Sequence, residues 1–379
     1  MKHLKTTFFL AGTAIGSGLI SLPVILAAWG TIGAIMLIVF FAIVTYLSAL
    51  ARCELNVQSK ATYTLKQVCI SFSGQKMALL GDLSIKLLCF TLLTAYLHGL
   101  NTLLATNLFA KILIIGLFLI LLLLPTNITL NFNKLCFYLL LFLIINVIFS
   151  FVVQINLSML PEFALKKLEM FELTIPTLFT AFGFQGSLHS LTKLCDNDPM
   201  LIRKACFFGC FITAGIYILW TLGLTTFLSQ NMPEQFSEIL INSNKGLSVI
   251  GRLMECKNFE ISCITGLTII TSIIGVGISL MDDIEENFRT KLNFSLKRLL
   301  CASIIVVPTA ILANTCAQAF IKILSLAGCI LAIIAIFIPL FLLKKTKKPF
   351  VFYELNSKLC NPVLFLFGVL VILCEMHIL

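Results

Sequence analysis

Two stretches of this chain combine residue types that suit ligand chemistry at membrane depth. The first is Gly12-Thr13-Ala14-Ile15-Gly16-Ser17-Gly18, set inside an apolar run and followed by Leu22-Pro23. Lipid offers no water to free backbone groups, so unwound backbone is tolerated there only where it is buried in protein or lines a cavity. A closely packed helix would use the same residues, since Gly and Pro are common in membrane helices. The second stretch repeats the pattern: Thr174-Ile175-Pro176, then Phe182-Gly183-Phe184-Gln185-Gly186-Ser187. A pair of interrupted spans at equivalent positions is what a transporter built from two repeats requires.

The chemistry of such a break is specific. The second half of a broken helix begins with free N–H groups and a positive dipole end, which attract a carboxylate. In the first stretch those donors are the N–H groups of Gly16, Ser17 and Gly18, where glycine allows close approach. Carbonyls near Ala11 to Thr13 would accept an ammonium or a cation. The two ends together suit a zwitterion, of which an amino acid is the simplest. Gln185 is the polar group that the second break presents. Phe182 and Phe184 beside it, and Tyr96 elsewhere, have rings that would stack on an aromatic ligand.

Ionisable groups at membrane depth are functional candidates by default. Asp82 and Lys86 share a helix face at i, i+4, which fits a structural or gating pair and, as the alternative, a proton relay. His98 has a side chain whose charge changes near neutral pH; proton coupling and a simple hydrogen-bonded role are both open. His189 is a weaker candidate. Glu54 is expected to pair with Arg52 or Lys60, and Lys322 to snorkel.

The elements that must hold these groups are membrane helices. Of 379 residues, 59% are hydrophobic and 12% charged, against about 25% charged in soluble domains. Eleven apolar spans are expected, near 6–29, 31–51, 78–108, 111–125, 135–154, 173–191, 204–228, 261–284, 299–314, 318–343 and 360–377. The first is read as a retained span rather than a cleaved signal. Lys and Arg concentrate on the loops that are cytoplasmic if the N-terminus is inside, with Arg52, Arg203, Arg298 and the Lys344–Lys345–Lys347–Lys348 cluster among them. The net charge of +10 is then a topology signal, and its dispersal gives no nucleic-acid module. Fourteen cysteines lie mostly in apolar runs and read as small hydrophobes; Cys256 and Cys263 flank the start of the eighth span, where a disulfide is the lesser alternative to two free thiols. No metal-ligand spacing is present, and no nucleophile–base or His-Glu-x-x-His set that an intramembrane enzyme would need.

The breaks fall in spans one and six. The expectation is one all-α transmembrane unit over 1–379: a five-helix repeat over 6–155, a second of opposite orientation over 170–344, and a basic loop with an eleventh helix over 345–379.

The residues Gly12 to Pro23 resemble the G-T-x-I-G-[AS]-G-[MI]-x-[SA]-[LM]-P signature of the aromatic amino acid permeases of the tyrosine and tryptophan type. Pro176 to Leu191 is similar to that family's sixth-span pattern. Thr94-Ala95-Tyr96 with Gly99, Lys204-Ala205 with Gly209, Tyr217 to Trp220, Thr271 to Gly277 and Asp282 follow in the right order. The chain departs from the pattern at Gln185, where many relatives carry His, and at His98. The resemblance implies the broken-helix fold of the leucine transporter and uptake of tyrosine, tryptophan or phenylalanine across a bacterial inner membrane. It implies proton coupling, with no cofactor and no obligate protein partner. It also sets Thr271 and Ser272 against the first break, where their hydroxyls would form a sodium site or its vestige. A sodium-coupled or broader neutral amino acid transporter is the alternative within the class; a transporter-fold receptor lies outside it.

Overall fold

The computed structural model describes residues 2–60, 64–104, 107–154, 162, 168–241, 259–287, 294–315, 320–346 and 348–378. Among them the chain is helical, with no strand. Each of the eleven expected spans has a helical counterpart. The first is split into α1 (Lys2–Ala14) and α2 (Gly18–Leu26). Gly30, at φ 64°, turns the chain into α3 (Gly30–Ser59), since a positive φ is open to glycine at no steric cost. A short surface helix α4 (Leu65–Ser73) begins with a capping box from Thr64 and Gln67. Then come α5 (Gln75–Leu104), α6 (Leu108–Leu123) and α7 (Thr126–Gln154). The sixth span is split into α8 (Leu168–Ala181) and α9 (Leu188–Leu194), and is followed by α10 (Pro199–Asn231) and the short α11 (Pro233–Ile241). The chain continues as α12 (Phe259–Asn287), α13 (Phe294–Thr315), α14 (Phe320–Ala332), a π-helical turn at Ile333–Phe337, α15 (Ile338–Leu343) and α16 (Cys360–Ile378). Seven stretches are long and apolar enough to cross a membrane, Gly18–Ser59 counting as one, and Leu108–Leu123 and Cys360–Met376 are shorter apolar helices.

The packing repeats when each helix is exchanged for the one five spans away. The pair α5–α14 answers α12–α7, α5–α13 answers α12–α6, α5–α6 answers α12–α13, and α2–α10 answers α9–α3. The correspondence fails around α1 and α8: α1 lies along α10, whereas α8, its equivalent, meets α3 only lightly. Helix α8 lies along α14, whereas α1, its equivalent, does not lie along α7 in the same way. There the Phe137 ring fills the space instead: a Cβ added at Gly12 would sit 2.7 Å from it. On the α8 side the backbones themselves meet, the Cβ position of Gly328 falling on the Pro176 carbonyl.

Candidate functional site

Both breaks are real, and α10 joins them. Between α1 and α2, the N–H groups of Gly16 and Ser17 donate no backbone hydrogen bond among the described residues. The second break is tightened by i→i+3 bonds, from Phe182 to Phe179, Gly183 to Thr180 and Ser187 to Phe184. The Tyr217 hydroxyl lies 2.8 Å from the Ala14 carbonyl and 2.8 Å from the Ala181 carbonyl, so one O–H is shared between the last residues of α1 and α8. One turn on, Trp220 Nε1 donates to the Leu19 carbonyl at 2.6 Å. That carbonyl is four residues before Pro23, which has no N–H to give it. The breaks also touch directly, Ser187 Oγ donating to Thr13 Oγ1 at 3.3 Å.

A cavity of about 600 Å³ lies at this junction. Gly12, Thr13, Ile15, Gly16, Ser17, Tyr96, Gly183, Phe184, Gln185, Thr271 and Ser272 line it. The lining continues to Arg52, Thr64, His189, Asp282 and Asp283 at the end of the molecule where α3 finishes and α5 starts. At the opposite end, Trp29 Nε1 donates to Thr174 Oγ1 at 3.1 Å and Thr174 Oγ1 lies 3.3 Å from the Ile25 carbonyl, while beside the second break Thr180 Oγ1 donates to the Leu324 carbonyl at 2.8 Å. These contacts tie α2, α8 and α14 together.

Gln185 is 6% exposed; its Nε2 donates to Ser48 Oγ at 2.8 Å while Oε1 has no partner. Ser272 faces the first break, its Oγ 3.1 Å from where a Gly16 Cβ would be. The hydroxyls of Thr271 and Ser272 donate back to their own helix, to Leu267 at 2.9 Å and Thr268 at 2.8 Å, which leaves their lone pairs toward the cavity. The Tyr96 hydroxyl faces Ser17 and Ser272.

Four expectations are corrected. Gly18 does not line the cavity: its Cβ position is occupied by the Tyr217 hydroxyl, so the glycine admits α10 rather than a ligand. Phe182 is fully buried, with its ring edge-on to Tyr217 at 5.4 Å. His98 is off the cavity; its Nδ1 is 3.0 Å from the Ala313 carbonyl of α13 and its Nε2 3.5 Å from Thr102 Oγ1. Glu54 pairs with neither Arg52 nor Lys60; it accepts from the backbone N–H groups of Val351 and Phe352 at 2.9 and 3.0 Å and from Gln58 Nε2 at 2.7 Å.

Asp82 and Lys86 are paired at 2.7 Å, as their spacing suggests, and belong to a longer chain of charge. Lys66 on α4 lies 3.5 Å from Asp82, and Lys86 lies 3.3 Å from Asp283 on α12. Neither Asp82 nor Lys86 lines the cavity; Asp283 does. Among the described residues no cluster of His, Cys, Asp and Glu is arranged for a metal ion. Cys256 lies outside the described residues, and Cys263 is a free thiol.

Sequence reading marked Tyr217 only as part of a pattern and missed Asp283, Ser48 and Thr180. Pro23 was the available signal for Trp220, because it frees the Leu19 carbonyl.

The fold matches that of a solved manganese transporter from Eremococcus coleocola with a TM-score of 0.61, at 14% identity, over 99% of this chain and 85% of that one. The tyrosine-specific transport system 1 of Haemophilus influenzae is 26% identical over 92% of this chain and 89% of its own length. The low affinity tryptophan permease of Escherichia coli K12 is 24% identical over 96% and 93%, and glutamine transporter 2 of Aliivibrio fischeri 23% identical over 99% of each. The profile of the tryptophan/tyrosine permease family matches residues 1–375. This multi-pass membrane protein, a transporter and not an enzyme, belongs to the tryptophan/tyrosine permease family.

Proposed function

We propose that this chain imports an aromatic amino acid across a bacterial inner membrane by proton symport, through alternating access. The observation that carries the reading is the meeting of two helix breaks at one cavity, where the N–H groups of Gly16 and Ser17 donate to no backbone carbonyl among the described residues. The substrate carboxylate sits on those N–H groups. Its ammonium faces the carbonyls at the end of α1 and the hydroxyls of Thr271 and Ser272. Its ring lies between Tyr96 and Phe184, and Gln185 Oε1 accepts from a tyrosine O–H or a tryptophan N–H. The tyrosine- and tryptophan-transporting relatives support an aromatic substrate. The two inverted repeats, 6–155 and 170–344, supply the exchange of states.

A second reading, a broader neutral amino acid transporter, draws on the glutamine transporter that matches the chain over almost all of both lengths. Uptake of radiolabelled tyrosine, tryptophan, phenylalanine and glutamine into proteoliposomes, under separately imposed pH and sodium gradients, decides among these. Accumulation of an aromatic substrate with pH alone, not competed by glutamine, is the expected result. Accumulation of glutamine would favour the second reading, and dependence on sodium would replace the proton.

A further inference from the structure

The carboxylate of Glu375 has no part in the site described above. It lies on α16, is 3% exposed, and accepts a hydrogen bond from Ser325 Oγ on α14, itself fully buried. Among the described residues no Lys, Arg or His nitrogen comes within 4.0 Å of it. The ionisable groups around it are few. Lys322 and Cys329 on α14 interact with it at longer range, Cys374 is its neighbour on α16, and buried Glu172 on α8 interacts with Cys374. Glu172 is a second buried carboxyl of this region, and Lys322 an amine at longer range.

A carboxylate buried among apolar helices without a cation is costly when charged, and neutralisation by a proton removes that cost. Its position gives the proton a consequence. Leu324, the residue before Ser325, accepts the hydrogen bond from Thr180, and Thr180 both ends α8 and lines the cavity. Gly328, one turn on, packs against the Pro176 carbonyl. The helix that holds Glu375 is thus the one that α8 closes upon.

We propose that Glu375 is the proton-binding residue of transport, and that its neutralisation permits the closure of α8 on α14 seen here. An ionised Glu375 draws water to this junction and favours the opposite state, in which that end is open. A proton taken up from the outer water therefore binds with closure, and by linkage closure raises proton affinity; to complete symport it leaves to the inner water through the cavity, whose wall reaches this junction at Thr180, beside the Leu324–Ser325 pair that holds Glu375. Glu375 would act through α14 and not by touching substrate, so it is a positioning residue. The inference rests on the proton-symport reading above.

The test is Glu375→Gln, which holds the shape of the neutral acid and carries no proton. In proteoliposomes the wild type should accumulate substrate about ten-fold per unit of imposed pH difference for one proton per substrate. The variant should lose that accumulation yet keep exchange of internal for external substrate, with a flat pH profile. Accumulation in the variant equal to wild type overturns the assignment and leaves proton symport standing. A wild type that transports but ignores the pH gradient overturns both. Should the variant fail to insert, the wild type answers directly. Dicyclohexylcarbodiimide, which modifies protonated carboxyls in apolar surroundings, should label Glu375 at neutral pH and less at alkaline pH, as read by peptide mass mapping. Absence of labelling throughout that range overturns the proposal.

Discussion

One hydroxyl holds the two helix breaks together. Tyr217 serves carbonyls from α1 and α8 at once, and both are buried in a place where water is scarce. Tyr217→Phe keeps the ring and its edge contact with Phe182 but removes that donor. An unsatisfied buried carbonyl costs about 1–3 kcal/mol, so the purified variant should melt at lower temperature, and substrate affinity should fall because the breaks lose their common anchor. An unchanged melting curve would mean that the bonds contribute nothing net. His98 belongs to the opposite case. Residues two apart on a helix point about 200° apart (from 3.6 residues per turn), so Tyr96 in the cavity forces His98 to the far side of α5. That geometry was available in the sequence, and the polar character of His98 obscured it. His98→Gln should therefore still accumulate substrate under a pH difference. Loss of accumulation with exchange intact would return coupling to His98. Phe182 and Phe184 make the same point, since only one of them faces the cavity while the other packs on Tyr217.

At the scale of elements, the loop between α15 and α16 is strapped to the ends of α3 and α10. Glu354 accepts from Tyr46 Oη at 2.6 Å and Arg203 Nε at 2.6 Å. Arg203 also bonds Tyr353 Oη and lies 4.0 Å from the centre of that ring. Glu54 receives two backbone N–H groups of the same loop. Partial burial alone would raise the Glu354 carboxyl, but the hydrogen bonds from Tyr46 and Arg203 outweigh it and bring the group below its ordinary value. A group depressed in the folded state contributes stability above its unfolded pKa and loses it as pH falls through the folded one. Comparing thermal unfolding of wild type and Glu354→Gln across pH should therefore show a gap at neutral pH that closes below about pH 4. A gap of constant size would place the acid sensitivity elsewhere. None of this strap was legible in the sequence. Its partners are some 150 to 300 residues apart, and charged residues in a short loop read equally well as a solvated turn. The spans and their interruptions were legible, because glycine clusters and apolar length are local signals. The chain from Lys66 through Asp82 and Lys86 to Asp283 was half legible. The i, i+4 pair is visible on one helix, but its continuation to α12 depends on tertiary packing.

For the whole molecule, the asymmetry between α8–α14 and α1–α7 defines a state in which one end is closed and the cavity extends toward the other. That other end carries Arg52, Lys66 and the basic loop that begins at Lys344. Lys and Arg mark the cytoplasmic face in short loops; in the orientation we propose, the end toward which the cavity extends is the inner one and the Glu375 end is the outer. Reporter fusions after Lys345 and after Leu379 should accordingly fall on opposite sides, the first in the cytoplasm; both on one side would break the eleven-span topology. The state itself can be probed from the cavity wall. Ser279 on α12 lines the cavity and is exposed, so Ser279→Cys places an accessible thiol there. A membrane-impermeant maleimide applied to inside-out vesicles should modify it, as read by peptide mass mapping, and saturating substrate should slow the reaction. The same reagent on right-side-out vesicles should modify it far more slowly, because α2, α8 and α14 close that side. The parent protein, with Ser279 intact, must lack the signal. Equal labelling from both sides would mean that the inward-facing arrangement does not dominate at rest. Faster labelling from outside would reverse the orientation read from Lys and Arg, and with it the side from which Glu375 takes its proton.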